Sequence, residues 1–177
     1  LINMTAATVK EMEKRAKIIK ANGGEFAMID IMTTGWTGVA SMREICGDLG
    51  LALHAHRAMH GAMTRNHYQG ISMNLVAKCA RLLGTDTLHI GTANIGKLVG
   101  SREEVLHIKD EITLNKVKAN SHEHTFEQDW FNIKPQFPCS SGGLHPALVE
   151  KVLNRMGTDI MLQIGGGVHA HPKGSYA

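Results

Sequence analysis

No apolar run in these 177 residues is long enough to read as a membrane span, and the N-terminus lacks the basic, then apolar, then small-residue order of a secretory signal. A soluble protein with no membrane partner is expected. Cysteine is scarce: Cys46, Cys79 and Cys139 are odd in number and far apart, which argues against a disulfide framework and makes a reducing, cytoplasmic home the expectation. Charge of one sign is lacking too. The 19 Lys and Arg against 16 Asp and Glu leave a formal net charge of +3, too mild to argue for nucleic acid but compatible with a small anionic substrate. Nor is there a composition of disorder or fibre, since 43% of the residues are hydrophobic and can fill one sizeable core.

What is present is an alternation of short apolar runs with helical patterns, the signature of parallel α/β architecture, and six rounds can be counted. Leu1 to Ala6 reads as a strand already under way, so the chain looks cut at its start; Gly174-Ser175-Tyr176-Ala177 likewise stops without a closing helix. Thr8-Val-Lys-Glu11 is a capping box for a helix with Val9, Met12, Ala16 and Ile19 on one face, ended by Asn22-Gly23-Gly24. A strand from Phe26 to Met32 precedes a helix striped by Val39, Met42, Cys46 and Leu49. The third strand is Leu51 to His56. After a loop through Arg65 to Gly70, a helix is expected with Leu75, Val76, Cys79 and Leu83 on its inner side, then a strand from Thr87 to Ile90. Gly91 to Gly100 is a glycine-punctuated loop, and Ser101-Arg-Glu-Glu104 caps the next helix. Asn115 to Phe131 reads as a polar, irregular surface excursion before a fifth strand, Gln136 to Cys139. Pro146 and the stripe Leu148, Val152 and Met156 mark a further helix, and Asp159 to Ile164 a sixth strand.

In such arrays ligands bind at the carboxyl ends of the strands, and the unusual residues collect there: His54, His56 and Arg57; His89, Gly91 and Thr92; Ser140 to Gly143; and Gly165 to Gly167. Ser141-Gly142-Gly143 and Gly165-Gly166-Gly167 expose backbone amides with no side chain in the way, as a phosphate requires. Either run alone could be only a tight turn; the pair favours an anion. Arg57 and His89 could hold a second phosphate across the mouth, although each alone is commonly structural. The run His54-Ala-His56-Arg57-Ala-Met-His60 could be read as metal binding, but no neighbouring Cys or acidic residue in the sequence completes a zinc set, and acid/base work suits these histidines better. No metal ligand is assigned. His67, His107, His122 and His124 are expected on surface loops or helices. Lys97, in a glycine-flanked loop, could swing over a bound substrate, or simply be solvated. The Met12, Met42 and Met156 stripes are core packing.

Four segments, LHAHRAMHGAMTRN from Leu53, ARLLGTDTLHIGTANIGKLVG from Ala80, PCSSGGLHP from Pro138 and LQIGGGVHAHPKG from Leu162, resemble in order the motifs of the large subunit of ribulose-1,5-bisphosphate carboxylase/oxygenase (Rubisco). GTANIGK, SSGGLHP and FEQDWFNIK resemble the archaeal form III, or the form between II and III. The resemblance covers nearly the whole chain. It implies a partial (β/α)8 barrel, about strands three to eight, with residues 1–177 a piece of the carboxy-terminal catalytic domain truncated at both ends. It further implies that CO2 adds to the enediolate of ribulose 1,5-bisphosphate to give two 3-phosphoglycerates, with O2 as the competing gas. By motif match His56 would be an acid/base group and Lys97 would close over the added carboxylate. Arg57 and His89 would bind one phosphate, and Ser141, Gly142, Gly143, Gln163, Ile164, Gly165 and Gly166 the other end of the substrate. Mg2+, its acidic ligands and the lysine that becomes carbamylated would lie upstream, and a homodimer or higher homo-oligomer is implied. Two departures stand out: Val99 follows Leu98 where the family usually carries glutamate, and His169-Ala170 replaces smaller or apolar wording. The alternatives are a Rubisco-like enolase of methionine salvage, against which the retained Lys97 and phosphate residues argue, and a truncated chain that binds phosphosugars without turnover.

Overall fold

The computed structural model describes residues 1–66, 68–97 and 100–174; the expectations for His67, Val99 and the closing Ser175-Tyr176-Ala177 lie outside them. In chain order the elements are β1 (Ile2–Asn3), α1 (Val9–Ala21), β2 (Phe26–Asp30), α2 (Ile31–Asp48), β3 (Ala52–His56), α3 (Gly61–Thr64) and α4 (Met73–Leu82). They continue with β4 (Thr87–His89), α5 (Arg102–Thr113), β5 (Lys116–Val117), β6 (Gln128–Asp129), β7 (Phe137–Ser141), α6 (Val149–Met156), β8 (Met161–Gln163) and α7 (Gly166–His169). Six strands form one parallel sheet in the order β1-β2-β3-β4-β7-β8, curled as part of a (β/α)8 barrel. Sequential strands sit side by side, each return made through a helix, as right-handed parallel crossovers require.

The two-residue period of the strands sorts the sheet into two chemistries. Met4, Ala27, Ile29, Leu53, Ala55 and Leu88 are buried on the side covered by helices, with Ile19, Val39, Met42, Val76, Ile108, Ile112 and Val152 in the same core. Burying each large aliphatic side chain contributes about 1.5–3 kcal/mol, so this layer anchors the sheet. The in-register rows Met28, His54 and Thr87, then Asp30 and His56, then His89 and Cys139, then Ser141 and Gln163 fall on the opposite, concave side. Polar groups are therefore concentrated on one face by strand geometry alone.

Local signals explain most boundaries. Thr8 Oγ1 accepts from Glu11 N at 3.2 Å, Ser72 Oγ from Leu75 N at 3.1 Å and Ser101 Oγ from Glu104 N at 3.0 Å, so all three helices begin on a side-chain cap. The Glu11 carboxylate does not complete a reciprocal box; it accepts from Arg15 Nε at 3.3 Å.

Several expectations need correction. β1 is shorter than Leu1 to Ala6, and β2 stops at Asp30 rather than Met32, because the pairing with β3 ends at Asp30 and His56 and Ile31 turns inward as the first residue of α2. Short apolar runs do not distinguish strand from helix on their own. In α4 the buried residues are Met73, Asn74, Val76, Ala77, Ala80 and Arg81, whereas Leu75 is exposed; α4 packs against α5, where Arg81 reaches the Glu111 carbonyl. The segment from Asn115 to Phe131 is not irregular. β5 and β6 pair antiparallel, Asn120 bridges Thr125, and Trp130 is buried with the Arg81 guanidinium 4.4 Å from its ring centroid. His107, on α5, is buried and hydrogen-bonded through Nε2 to Thr125 Oγ1 at 3.0 Å rather than lying on the surface.

Candidate active site

The carboxyl ends of β2, β3, β4, β7 and β8 bring together most of the residues singled out in the sequence. His56, the last residue of β3, shares a 2.6 Å hydrogen bond between its Nδ1 and Asp30 Oδ1 at the end of β2. Asp30 is itself positioned from β1: its Oδ2 accepts from Asn3 Nδ2 at 2.9 Å, and its backbone N donates to Thr5 Oγ1 at 2.8 Å. With Nδ1–H donating to the carboxylate, the ring is oriented and Nε2 is left to accept a proton. Neither Asp30 nor Asn3 was identified in the sequence; the available signal was an acidic residue at the carboxyl end of a parallel strand.

His89, at the end of β4, donates from Nε2 to Gln163 Oε1 of β8 at 2.7 Å, and its ring stands edge-on to that of His56 with centroids 4.9 Å apart. Burial pushes the His89 imidazole down to about 3, the Gln163 hydrogen bond partly opposing and the neighbouring His56, His54 and Arg57 adding to the shift. His60 falls to about 4, again chiefly by burial and then by Arg57. Arg57 is lowered to about 10 by burial, with Glu104 opposing, and so stays cationic at neutral pH. It is the fixed positive charge of a cavity of about 460 Å³ bounded also by His60, Arg65, Thr92, Ser101 and Glu104. Gly91 makes room for it: at φ 106°, an added Cβ there would lie 3.0 Å from Arg57 Nη2.

A second cavity, of about 880 Å³, is bounded by Lys97, Ser141, Gly143, Gln163, Gly165 and Gly166. A Cβ added at Gly165 or Gly166 would meet nothing within 4 Å, so the backbone there is open to a ligand, whereas Gly167 packs against Leu144 O and His145. Lys97 is placed by its backbone, N donating to Gly142 O at 3.1 Å, and Gly143 accommodates its side chain. Ile164 is only half-buried and packs against the core, contributing at most its backbone.

His54 is not a strand-end residue. It lies in the middle of β3, fully buried, with Nδ1 bonded to Thr87 Oγ1 and Nε2 without a hydrogen-bond partner among the described residues; burial, aided by His56, lowers it to about 4. Cys139 of β7 comes to this layer, its thiol raised to about 12 by burial. All three cysteines are free.

The family model described as ribulose bisphosphate carboxylase large chain, catalytic domain, matches residues 1–177. The chain belongs to that family. Archaeal Rubisco sequences resemble it closely: the ribulose bisphosphate carboxylases of Methanosarcina acetivorans and Methanocaldococcus jannaschii are 50% and 51% identical over 177 and 175 residues. These alignments cover 100% and 99% of this chain but 41% and 40% of those proteins, so the chain spans about two fifths of the length of the relatives it matches. Among solved structures, the dimeric archaeal Rubisco of Hyperthermus butylicus superposes with a TM-score of 0.87 at 43% identity, covering 99% of this chain and 40% of that one. The octameric Rubisco of Pyrococcus horikoshii does so with 0.83 at 45% identity, covering 99% and 38%. Among the described residues no helix is long and apolar enough to cross a membrane.

Proposed function

We propose that this chain supplies strands three to eight of a Rubisco barrel, and with them the parts of the site that grip ribulose 1,5-bisphosphate, move its protons and meet the incoming CO2. The observation that carries the reading is the pairing of two cavities around one proton-handling centre. Arg57 borders one cavity and the Ser141 and Gly165 turns with Lys97 the other; the edge-on pair His56 and His89 shares a further hollow with Arg57, and His89 is hydrogen-bonded to Gln163 of the second cavity. A substrate with a phosphate at each end fits that layout.

In the proposed cycle Arg57 and His89 hold one phosphate, and Ser141, Gly142, Gly143, Gln163, the Ile164 backbone, Gly165 and Gly166 hold the other. Charge-assisted bonds and unobstructed amides both favour an anion. His56, oriented by Asp30, takes and returns protons as the sugar passes through its enediolate. The ammonium of Lys97 stabilises the carboxylate that forms when CO2 adds, a charge absent from the ground state.

Magnesium, which the family resemblance implies, does not fit the residues present. The ion requires hard oxygen ligands, yet among the described residues Asp30 is the only acidic one on the six strands of the sheet, and both its oxygens are already engaged. We assign its ligands to chain beyond these 177 residues. The homo-oligomeric form belongs to the same proposal, as does the cytoplasmic setting.

The test is calorimetric titration of ribulose 1,5-bisphosphate into the full-length protein and its Arg57→Ala variant. A charged phosphate contact contributes about 1.5–3 kcal/mol, so binding should weaken roughly ten- to a hundredfold with the circular dichroism unchanged. Unaltered affinity would remove Arg57 from the site.

A further inference from the structure

One layer below the mouth, His54 of β3, His89 of β4 and Cys139 of β7 converge so that one nitrogen of each ring and the Cys139 Sγ all lie within 4.8 Å of one another. We propose that these three side chains form a binding site for a borderline-soft divalent cation of the zinc class, separate in ligand chemistry from any oxygen-ligated magnesium. The convergence is a product of sheet register: His89 and Cys139 are paired residues on adjacent strands, and His54 sits in the row beneath on the same face.

Three features of the cluster are those of a built ligand set. First, His54 Nε2 is completely buried with no hydrogen-bond partner among the described residues, an arrangement that leaves a polar atom uncompensated unless something occupies the space before it. Second, one nitrogen of each ring bonds a neutral oxygen, and with that nitrogen as the N–H donor the ring is fixed: His54 Nδ1 by Thr87 Oγ1 and His89 Nε2 by Gln163 Oε1. That is how metal-bound imidazoles are oriented, and it leaves a lone pair on the remaining nitrogen of each. Third, the set is two imidazoles and a thiol with no carboxylate, a combination that selects zinc-class ions over magnesium. Tetrahedral coordination with bonds of about 2.0–2.3 Å puts ligand atoms roughly 3.5 Å apart, so modest side-chain rotations close the cluster.

Binding exchanges a proton for the metal. The Cys139 S–H bond breaks, the sulfur pair forms the bond to the cation, and the proton leaves to solvent; both imidazoles bind as they stand, neutral. A fourth position is left for solvent, as in three-ligand sites generally. His89 would then bind the cation through Nδ1, its Nε2–H remaining the donor to Gln163 or to the phosphate.

Cobalt(II) is the probe, added to the purified full-length protein in the presence of excess Mg2+. One equivalent should bind, giving the visible bands of tetrahedral cobalt and a thiolate-to-cobalt charge-transfer band in the near ultraviolet. Both should be lost in Cys139→Ser and retained in Cys46→Ser. Should Cys139→Ser fail to fold, X-ray absorption of the unmodified cobalt or zinc form decides the matter: one sulfur and two imidazoles in the first shell support the site. A shell of oxygen and nitrogen only, no thiolate band at one equivalent, or a band that survives Cys139→Ser in a folded variant overturns it.

Discussion

Replacing Arg81 by methionine should destabilise the protein more than any surface change, for reasons that can be counted. Arg81 is fully buried on α4 and donates four hydrogen bonds: to Glu111 O at 2.8 Å, Leu114 O at 2.7 Å, Ile133 O at 3.1 Å and Lys134 O at 3.2 Å. Two of those carbonyls belong to the carboxyl end of α5, where no intrahelical donor remains, and two to the segment that leads back into β7. The guanidinium also stacks on Trp130 and faces the buried Glu111, which Lys78 approaches at 3.1 Å. Methionine matches the length but donates nothing. Bonds to a charged group contribute about 1.5–3 kcal/mol each, while the guanidinium's own desolvation, recovered on unfolding, offsets much of the sum. The expected net loss is the scale found on breaking buried ion pairs, about 3–5 kcal/mol. At about 2–4 °C per kcal/mol for a cooperative unit of about 150–250 residues, and less for a larger one, the melting temperature of the full-length protein should fall by several degrees, with roughly 20 °C as the upper bound. Amide exchange should accelerate first in Lys116 to Asp129, the antiparallel pair that the arginine pins. A shift under about 2 °C with unchanged exchange in that segment would refute the idea that Arg81 holds the excursion in place.

Two further outcomes follow from the site. At Gly96 (φ 88°) an added Cβ would lie 2.5 Å from Gly142 O, so Gly96→Ala should lift Lys97 off the Ser141 turn. Product formation should then drop about tenfold or more while the unfolding transition moves little, and unchanged turnover would show that this docking is dispensable. The histidines give a pH signature with a definite sign: His54 and His89 titrate at about 4 and about 3 when folded against an ordinary 6.5. Between those values the unfolded chain binds protons that the native one does not, so stability is complete above about 6.5 and declines as pH falls toward 4 and then 3. Urea midpoints should be higher at pH 7 than at pH 5, and a flat or inverted dependence would contradict the buried, neutral assignment.

The parallel sheet was legible because strand-length apolar runs alternate with capped, striped helices, and the mouth because glycines, histidines and an arginine recur at strand ends. What escaped was whatever depends on a partner distant in sequence. Asp30 reads as the polar interruption of an apolar run until β1 and β3 flank it. Cys139 reads as a small core residue until register sets it beside His89. Arg81 and Trp130 lie 49 positions apart, and nothing local to either indicates that one will stack on the other. Leu75 misled the reading of α4 because hydrophobicity at helical spacing does not say which of two neighbouring stripes faces inward.

The measurement that bears most directly on the proposed carboxylase site separates its two halves in one variant, Lys97→Ala in the full-length, Mg2+-activated protein supplied with ribulose 1,5-bisphosphate. The phosphate anchors and the His56–Asp30 pair remain intact, so exchange of the substrate's carbon-bound proton with solvent, followed by tritium wash-out, should continue. Incorporation of labelled CO2 into 3-phosphoglycerate should fall at least about a hundredfold, the usual cost of removing one stabiliser of a developing oxyanion. Equal loss of both would assign Lys97 to general substrate binding, and absence of labelled product even from the unaltered protein would contradict the carboxylase reading itself.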